Sequence, residues 1–271
     1  MTSSASSLPA WDMLRMMVRS AAVLAAVVRV ELAKRYSGSL FGKLWVLLYP
    51  AVLLSIYLFV YLVIFQMRFP GYSQWDYVLY VFSGLVPFMG FMEATTSGCV
   101  SIKQNMHLIR NVMFPIELIP VRYVMIGLVG QLVSLGILMV LIVWQGALSV
   151  HVLALPVILV LQVLWLIGLL WILAPLTVAL PDVSYFVGLF ILFLLFVSPI
   201  GFKPEMVPAQ WQWVVKLNPI TYLADVYRGT MLNLHETPVS SFAVYAAICL
   251  GTFVLGGSFF RRFKSVLADY E

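Results

Sequence analysis

The side chains with most to offer chemically are aromatic rings set in uncharged runs. Phe186, Phe190, Phe193 and Phe196 recur every three or four residues, so a helix presents them on one face; Tyr57 and Tyr61, at i and i+4, do the same in an earlier run with Trp45, Tyr49 and Phe65. A ring face can stack on the C–H patches of a sugar without gripping it. Stacking on a nucleic-acid base is worth roughly 1–3 kcal/mol, and a sugar is expected to gain no more, so several such contacts guide a chain without trapping it. The competing role is helix packing or lipid contact, the better expectation for any single phenylalanine. A tyrosine hydroxyl at membrane depth, by contrast, needs a polar partner.

Other chemistries lack their residues. His107, His151 and His235 fall in three different connecting segments without metal-ligand spacing, and Cys99 and Cys249 sit in apolar stretches where a thiol acts as a small hydrophobe. No metal site, disulfide or catalytic centre is expected. A phosphate-binding loop needs glycines followed by Lys and Ser or Thr, but the one Gly-Lys pair, Gly42-Lys43, is followed by Leu44. ATP is therefore not bound in that way. The ionisable candidates Glu93, Arg122 and Asp182 each lie near the end of an apolar run, whereas a proton-driven pump needs carboxylates or histidines near mid-membrane.

The elements that must position these residues are transmembrane helices. Of 271 residues, 63% are hydrophobic and 10% charged, which places the whole chain, 1–271, in one all-α integral membrane domain with no room for a soluble one. Nucleic acid is not an expected partner, because the net charge of +5 is explained first by the side of the bilayer on which the basic residues lie. Residues 11–36 read as an amphipathic helix on the membrane surface, with Asp12, Arg15, Arg19 and Lys34 within one arc. A signal peptide is the rival, but its apolar run, Ala21–Val28, is short and closely followed by more basic residues.

Six spans are expected: 44–65, 77–99, 116–144, 152–180 with bends at Pro156 and Pro175, 183–202 and 237–260. Between the second and third, residues 101–115 read as a short polar helix outside the membrane. Residues 203–229 mix apolar runs with Pro204, Pro208, Lys216, Pro219 and Asp225, and neither half is long enough to cross. They are expected to dip in and return, as broken helices beside a pathway do. An interfacial loop, with Trp211, Trp213 and Tyr222 as its aromatic belt, is the alternative. Of 16 basic residues, 12 fall on the side of the termini (Arg15, Arg19, Arg29, Lys34, Arg35, Lys43, Lys103, Arg110, Arg122, Arg261, Arg262 and Lys264), so both termini are expected in the cytoplasm and residues 203–229 outside.

Against this background several short motifs carry a resemblance. Arg35-Tyr36-x-Gly38-Ser39-Leu40-x-Gly42-x-x-Trp45 with Pro50, then Asn105-x-x-Leu108-Ile109 with Phe114-Pro115, then Ser198-Pro199-Ile200, Asn218-Pro219 and Tyr227-Arg228 occur in order over about Glu31 to Lys264. Each is weak alone, but their order and spacing together resemble the transmembrane subunits of ABC-2-type polysaccharide exporters, which move O-antigen, capsule or teichoic acid chains across the bacterial inner membrane. One departure is that Pro181 precedes Asp182 where the family usually has Arg.

The resemblance implies a homodimer with a conduit between its subunits and two copies of a separate ATP-binding subunit, which would hold the ATP and Mg. The chain itself would be a transport subunit, not an enzyme. Its implied cargo is a lipid-linked polysaccharide, with membrane lipid around it and an outer-membrane or periplasmic export channel beyond it in capsule systems. The expected conduit residues are Tyr49, Tyr57, Tyr61, Phe186, Phe190 and Phe193. The expected ATPase coupling residues are Lys103, Asn105, Leu108, Ile109 and Arg110, and the expected outer gate is Pro199, Trp211, Asn218, Pro219 and Arg228. Alternatives are an exporter of drugs or small lipids in the same superfamily, a secondary transporter, which should show an inverted repeat that is not found here, and a non-transporting scaffold.

Overall fold

A computed structural model describes residues 10–35, 38–64, 66, 71–106, 115–233 and 236–269, with side chains for all of these except 10–14, 43 and 265–269. The described chain is helical, and its one β-type pairing is an isolated bridge between Leu148 and Leu232.

Two helices, α1 (Ala10–Arg19) and α2 (Ala21–Arg35), precede the first long apolar segment. One surface helix over 11–36 was expected; the chain instead breaks at Ser20. The sequence of α1 separates polar and apolar faces, whereas α2 buries only Leu24 and Val28. Then come α3 (Trp45–Leu58), continued as a π-helix over Phe59–Ile64, and α4 (Gln74–Cys99). Ser73 caps α4 reciprocally with Asp76, each side chain accepting from the other's backbone N–H, at 3.1 and 2.8 Å.

A single-turn α5 (Ser101–Gln104) follows, then α6 (Leu118–Trp144), α7 (Leu155–Ala179) and α8 (Val183–Val197). Pro156 lies in the first turn of α7, where proline's missing N–H costs nothing, so it opens this helix and does not bend it as expected. Two short helices, α9 (Gln212–Leu217) and α10 (Pro219–Met231), lead to α11 (Val239–Asp269).

Among the described residues, five segments are long and apolar enough to cross a bilayer: Trp45–Ile64, Gln74–Cys99, Leu118–Trp144, Val150–Ala179 and Val239–Lys264. The expected fifth span, 183–202, is shorter as a helix, because α8 stops at Val197 before Ser198-Pro199; a proline disfavours helical backbone at the residue before it.

The core is built around α4, which buries residues of every helical face from Tyr77 to Phe91 against α6, α7, α8 and α10. α7 and α11 pack backbone to backbone: a Cβ built on Gly256 would lie 2.0 Å from the Gly168 carbonyl oxygen, and one on Gly168 would lie 2.5 Å from Phe253 Cα. Small residues allow this approach, which drives helix association where lipid removes the hydrophobic incentive. Trp171 fills the same seam, 5.4 Å from Phe253 and 6.2 Å from Phe260 between ring centres.

Candidate functional site: a hairpin at one end of the bundle and a cleft toward the other

Basic residues such as Arg35 and Lys264 cluster at the end of the bundle where α4 finishes and α6 begins. Lys264 Nζ meets the buried Glu117 carboxylate at 2.6 Å, and Arg35 pairs with Glu93. We call this the basic end and its opposite the far end.

At the far end, three motifs distant in sequence converge. Asn218 precedes α10 with extended backbone, and its side-chain oxygen accepts from the Ile220 N–H at 2.9 Å, while Pro219 takes the first helical position. The same asparagine donates through Nδ2 to Ser198 Oγ at 2.8 Å, fixing α10 to the end of α8. Beyond Ser198 the backbone leaves helical geometry with Pro199 buried, and the exposed carbonyls are claimed one by one. Arg228 donates to Ile200 O at 2.9 Å, Tyr77 to Gly201 O at 2.9 Å and Tyr80 to Phe202 O at 3.3 Å. Each bond replaces one that water would make in a soluble loop.

Arg228 is almost wholly buried, donates a second bond to Tyr80 O at 3.1 Å and lies 3.7 Å from the centre of the Tyr80 ring. Gly84 makes room for it: a Cβ there would lie 2.7 Å from the guanidinium. Burial pulls the Arg228 pKa below its usual value, opposed by Tyr80 and Asp225. Around it opens a cavity of about 400 Å³ lined by Lys203, Glu205, Thr221, Asp225 and Glu236 among others. The far end of α10 is pinned as well, since Ser149 N–H donates to Met231 O and Asn233 N–H to Ala147 O, both at 3.0 Å. α9 and α10 thus form a braced hairpin, with Trp211 and Trp213 exposed on its outer side.

Behind Arg228, the neighbouring Tyr227 reaches into the middle of the bundle. Gln131 Nε2 donates to Gln162 Oε1 at 2.8 Å and to the Tyr227 hydroxyl at 2.9 Å. Gln162 Nε2 donates to Gln131 Oε1 at 3.0 Å and to Pro87 O at 3.1 Å, and the Tyr227 hydroxyl donates to Gln162 Oε1. All five side-chain protons of this ring are used. Burial pushes the Tyr227 hydroxyl pKa well up, against a lowering contribution from Gln131, so it stays a donor.

Gln131 also floors a second cavity, a cleft of about 240 Å³ that runs toward the basic end between α3, α4 and α6 and is lined by Arg35, Tyr49, Glu93, Thr96 and Ser134 among others.

The expected site residues separate into three groups. Pro199, Asn218, Pro219 and Arg228 come together at the hairpin, while Trp211 stays on its surface. The expected conduit residues do not form one wall within a chain. Phe186, Phe190 and Phe193 are exposed on α8 at 70%, 58% and 50%, with Phe190 and Phe193 stacked at 6.1 Å, while Tyr49 lines the cleft. Tyr57 and Tyr61 stack at 5.8 Å, and Tyr61 packs so closely on Gly201 that a Cβ there would lie 2.4 Å from its ring. Tyr61 therefore supports the segment after α8. Of the expected coupling residues, Lys103 is exposed, and Asn105 is buried and donates to Ser101 O at 2.7 Å, a local anchoring role; Leu108, Ile109 and Arg110 lie outside the described residues. Arg122 is buried and donates to the Tyr123 hydroxyl at 3.1 Å, and Asp182 is exposed at the start of α8.

Sequence reasoning missed Gln131 and Gln162. The signal was present, because a glutamine within a largely apolar helix of 25 to 27 residues needs a partner inside the bundle.

A polytopic helical bundle whose broken segment is braced from within has the form of a membrane transport subunit. Residues 22–232 match the family described as ABC-2 type transporter, and the chain belongs to that family. Among its curated relatives is an "O-antigen export system permease protein RfbA" of Klebsiella pneumoniae, 26% identical over 251 residues, which are 91% of this chain and 94% of the relative. A second protein of that name from Klebsiella pneumoniae is 26% identical over 78% of this chain and 80% of its own length. One from Myxococcus xanthus is 23% identical over 91% and 94%.

Proposed function

We propose that this chain is the membrane half of an ATP-driven exporter that carries a lipid-linked polysaccharide of O-antigen or capsule type across the bacterial inner membrane. Two copies form the conduit, and two ABC ATP-binding subunits, which hold the nucleotide and magnesium, dock at the basic end through Lys103–Arg110. The basic end and both termini lie in the cytoplasm. Named relatives that export O-antigen support the substrate class.

The observation that carries the reading is α8. Its 15 residues cover about 22 Å at 1.5 Å each, and the non-helical Ser198–Phe202, at up to ~3.3 Å per residue, completes a sixth crossing. Non-helical backbone at that depth is tolerated where protein donors satisfy it, and Arg228, Tyr77 and Tyr80 do so here. α8 buries only Val187, Ile191 and Leu194, so its rings remain free for a partner subunit and for sugar faces. ATP binding would move the cytoplasmic segment, shift the spans and advance the glycan past the hairpin.

The test is reconstitution of the chain with its ATP-binding subunit in proteoliposomes. ATP-dependent movement of lipid-linked O-polysaccharide is the expected result. Movement of lipophilic dyes without the glycan would replace this reading with that of a drug or small-lipid exporter.

A further inference from the structure

We propose that Gln131, Gln162 and Tyr227 are positioning residues for transport: their closed ring makes the far-end hairpin respond to whatever occupies the cleft toward the basic end. The proposal builds on the export reading but is tested without glycan or ATPase, so the two stand or fall separately.

Gln131 belongs to both places at once. Its side chain lines the cleft beside Arg35, Tyr49 and Glu93, and the same amide holds Tyr227 on α10. Each of the five protons in the ring has one acceptor, so an occupant that draws or pushes on Gln131 takes a bond from Gln162 or Tyr227. A buried donor or acceptor left unpaired is costly enough that the ring shifts as a unit.

There is also no slack. A Cβ on Gly90 would lie 1.9 Å from Gln131 Oε1, so this amide rests directly on the α4 backbone; Gly84 similarly leaves no gap beneath Arg228. Displacing Tyr227 therefore moves Arg228, whose guanidinium holds the Ile200 carbonyl in the non-helical segment after α8. The path from cleft to hairpin is a continuous run, Gln131 to Tyr227 to Arg228 to Ile200, between two cavities that share no lining residue.

The experiment uses the full chain in lipid nanodiscs. Thr96→Cys places a thiol at the cleft, and a maleimide on it serves as a defined occupant; the parent treated identically controls for Cys99 and Cys249, both buried. Amide hydrogen exchange over 219–231 should change about fivefold on labelling, the low end of ordinary coupling between sites. In Gln131→Met and in Tyr227→Phe backgrounds the change should vanish, although the cleft is filled equally. A purely structural ring would leave exchange in the hairpin indifferent to the label, and that result overturns the proposal. So does an equal response with and without the Tyr227 hydroxyl. If a variant fails to fold, as exchange in α6 and α7 would reveal, Gln162→Met replaces it and the same comparison decides.

Discussion

α4 and the first span invert the rule that the most apolar segment is the most buried. Over an apolar stretch of 18 residues α4 has a mean hydropathy of 1.4 with 89% of the stretch buried, whereas the corresponding stretch of Trp45–Ile64 has 2.4 with 11% buried. In water the reverse would hold, but lipid is as apolar as leucine, so burial in a bilayer follows packing and polar bonding. α4 is central because it supplies small and polar groups: Gly84 under Arg228, Gly90 under Gln131, the Pro87 carbonyl for Gln162 and the Tyr77 and Tyr80 hydroxyls for the segment after α8. The first span and α8 offer mostly hydrocarbon and rings, and within one chain they keep these on the surface.

The comparison breaks most severely where two backbones touch. Gly168→Leu and Gly256→Leu should each abolish accumulation of folded protein, because the atoms in the way are main chain and cannot turn aside; even ordinary overpacking costs about 1–3 kcal/mol. Gly136→Leu in α6 and Gly251→Leu in α11, both with open space around them, should leave stability within about 0.5 kcal/mol of the parent. Thermal unfolding in detergent distinguishes the pairs.

Next in size is the buried guanidinium. Arg228→Met leaves the Ile200 carbonyl without that donor inside the bundle, at about 1–3 kcal/mol for an unsatisfied group, while Tyr80 O keeps its bond from Ser83 Oγ. Arg228→Lys should recover little, since an ammonium cannot span both carbonyls while stacking on Tyr80. Recovery of full stability by lysine would mean that charge, not the fork, holds the hairpin. Smaller again is Tyr227→Phe, expected to cost about 0.6–1.7 kcal/mol, the range for hydrogen bonds between membrane helices.

How much of this was legible in the sequence follows the same division. Long apolar runs located the spans, because length and hydropathy are local properties. Asn218-Pro219 entered through the resemblance alone, although a capping residue followed by a proline is also the local chemistry of a helix start, and the pair does open α10. The division between α8 and the chain after it was misjudged, since 20 uncharged residues read as one helix, whereas a proline inside them and hydroxyls from α4 stabilise a turn at Ser198. The partners of Gln131 and Tyr61 were not legible, because Gln162, Tyr227 and Gly201 are brought to them only by the fold. Which faces stay exposed was equally hidden, since hydropathy does not order the spans by burial: the first span and Val150–Ala179 are both strongly apolar, yet one is mostly exposed and the other half buried.

A small effect on stability is expected of the rings on α8, and they sharpen the comparison most. Phe190 and Phe193 are more than half exposed or nearly so, stack on each other, and are not among the residues α8 buries against its own chain. Replacing both with alanine removes one stacked pair worth about 0.5–1.5 kcal/mol and creates no cavity, so folded protein should reach the membrane at normal levels. If these rings only face lipid, surface polysaccharide is unchanged as well, because lipid tails solvate alanine and phenylalanine alike. If they line the conduit, losing two stacking surfaces, each worth at most roughly 1–3 kcal/mol, should reduce surface polysaccharide while stability falls by no more than the stacked pair. Tyr57→Ala with Tyr61→Ala is the contrasting pair, because Tyr61 packs on Gly201; it should lower both stability and export. Loss of stability in the tyrosine pair alone, with loss of export in both, would separate rings that hold the transporter together from rings that touch what it carries.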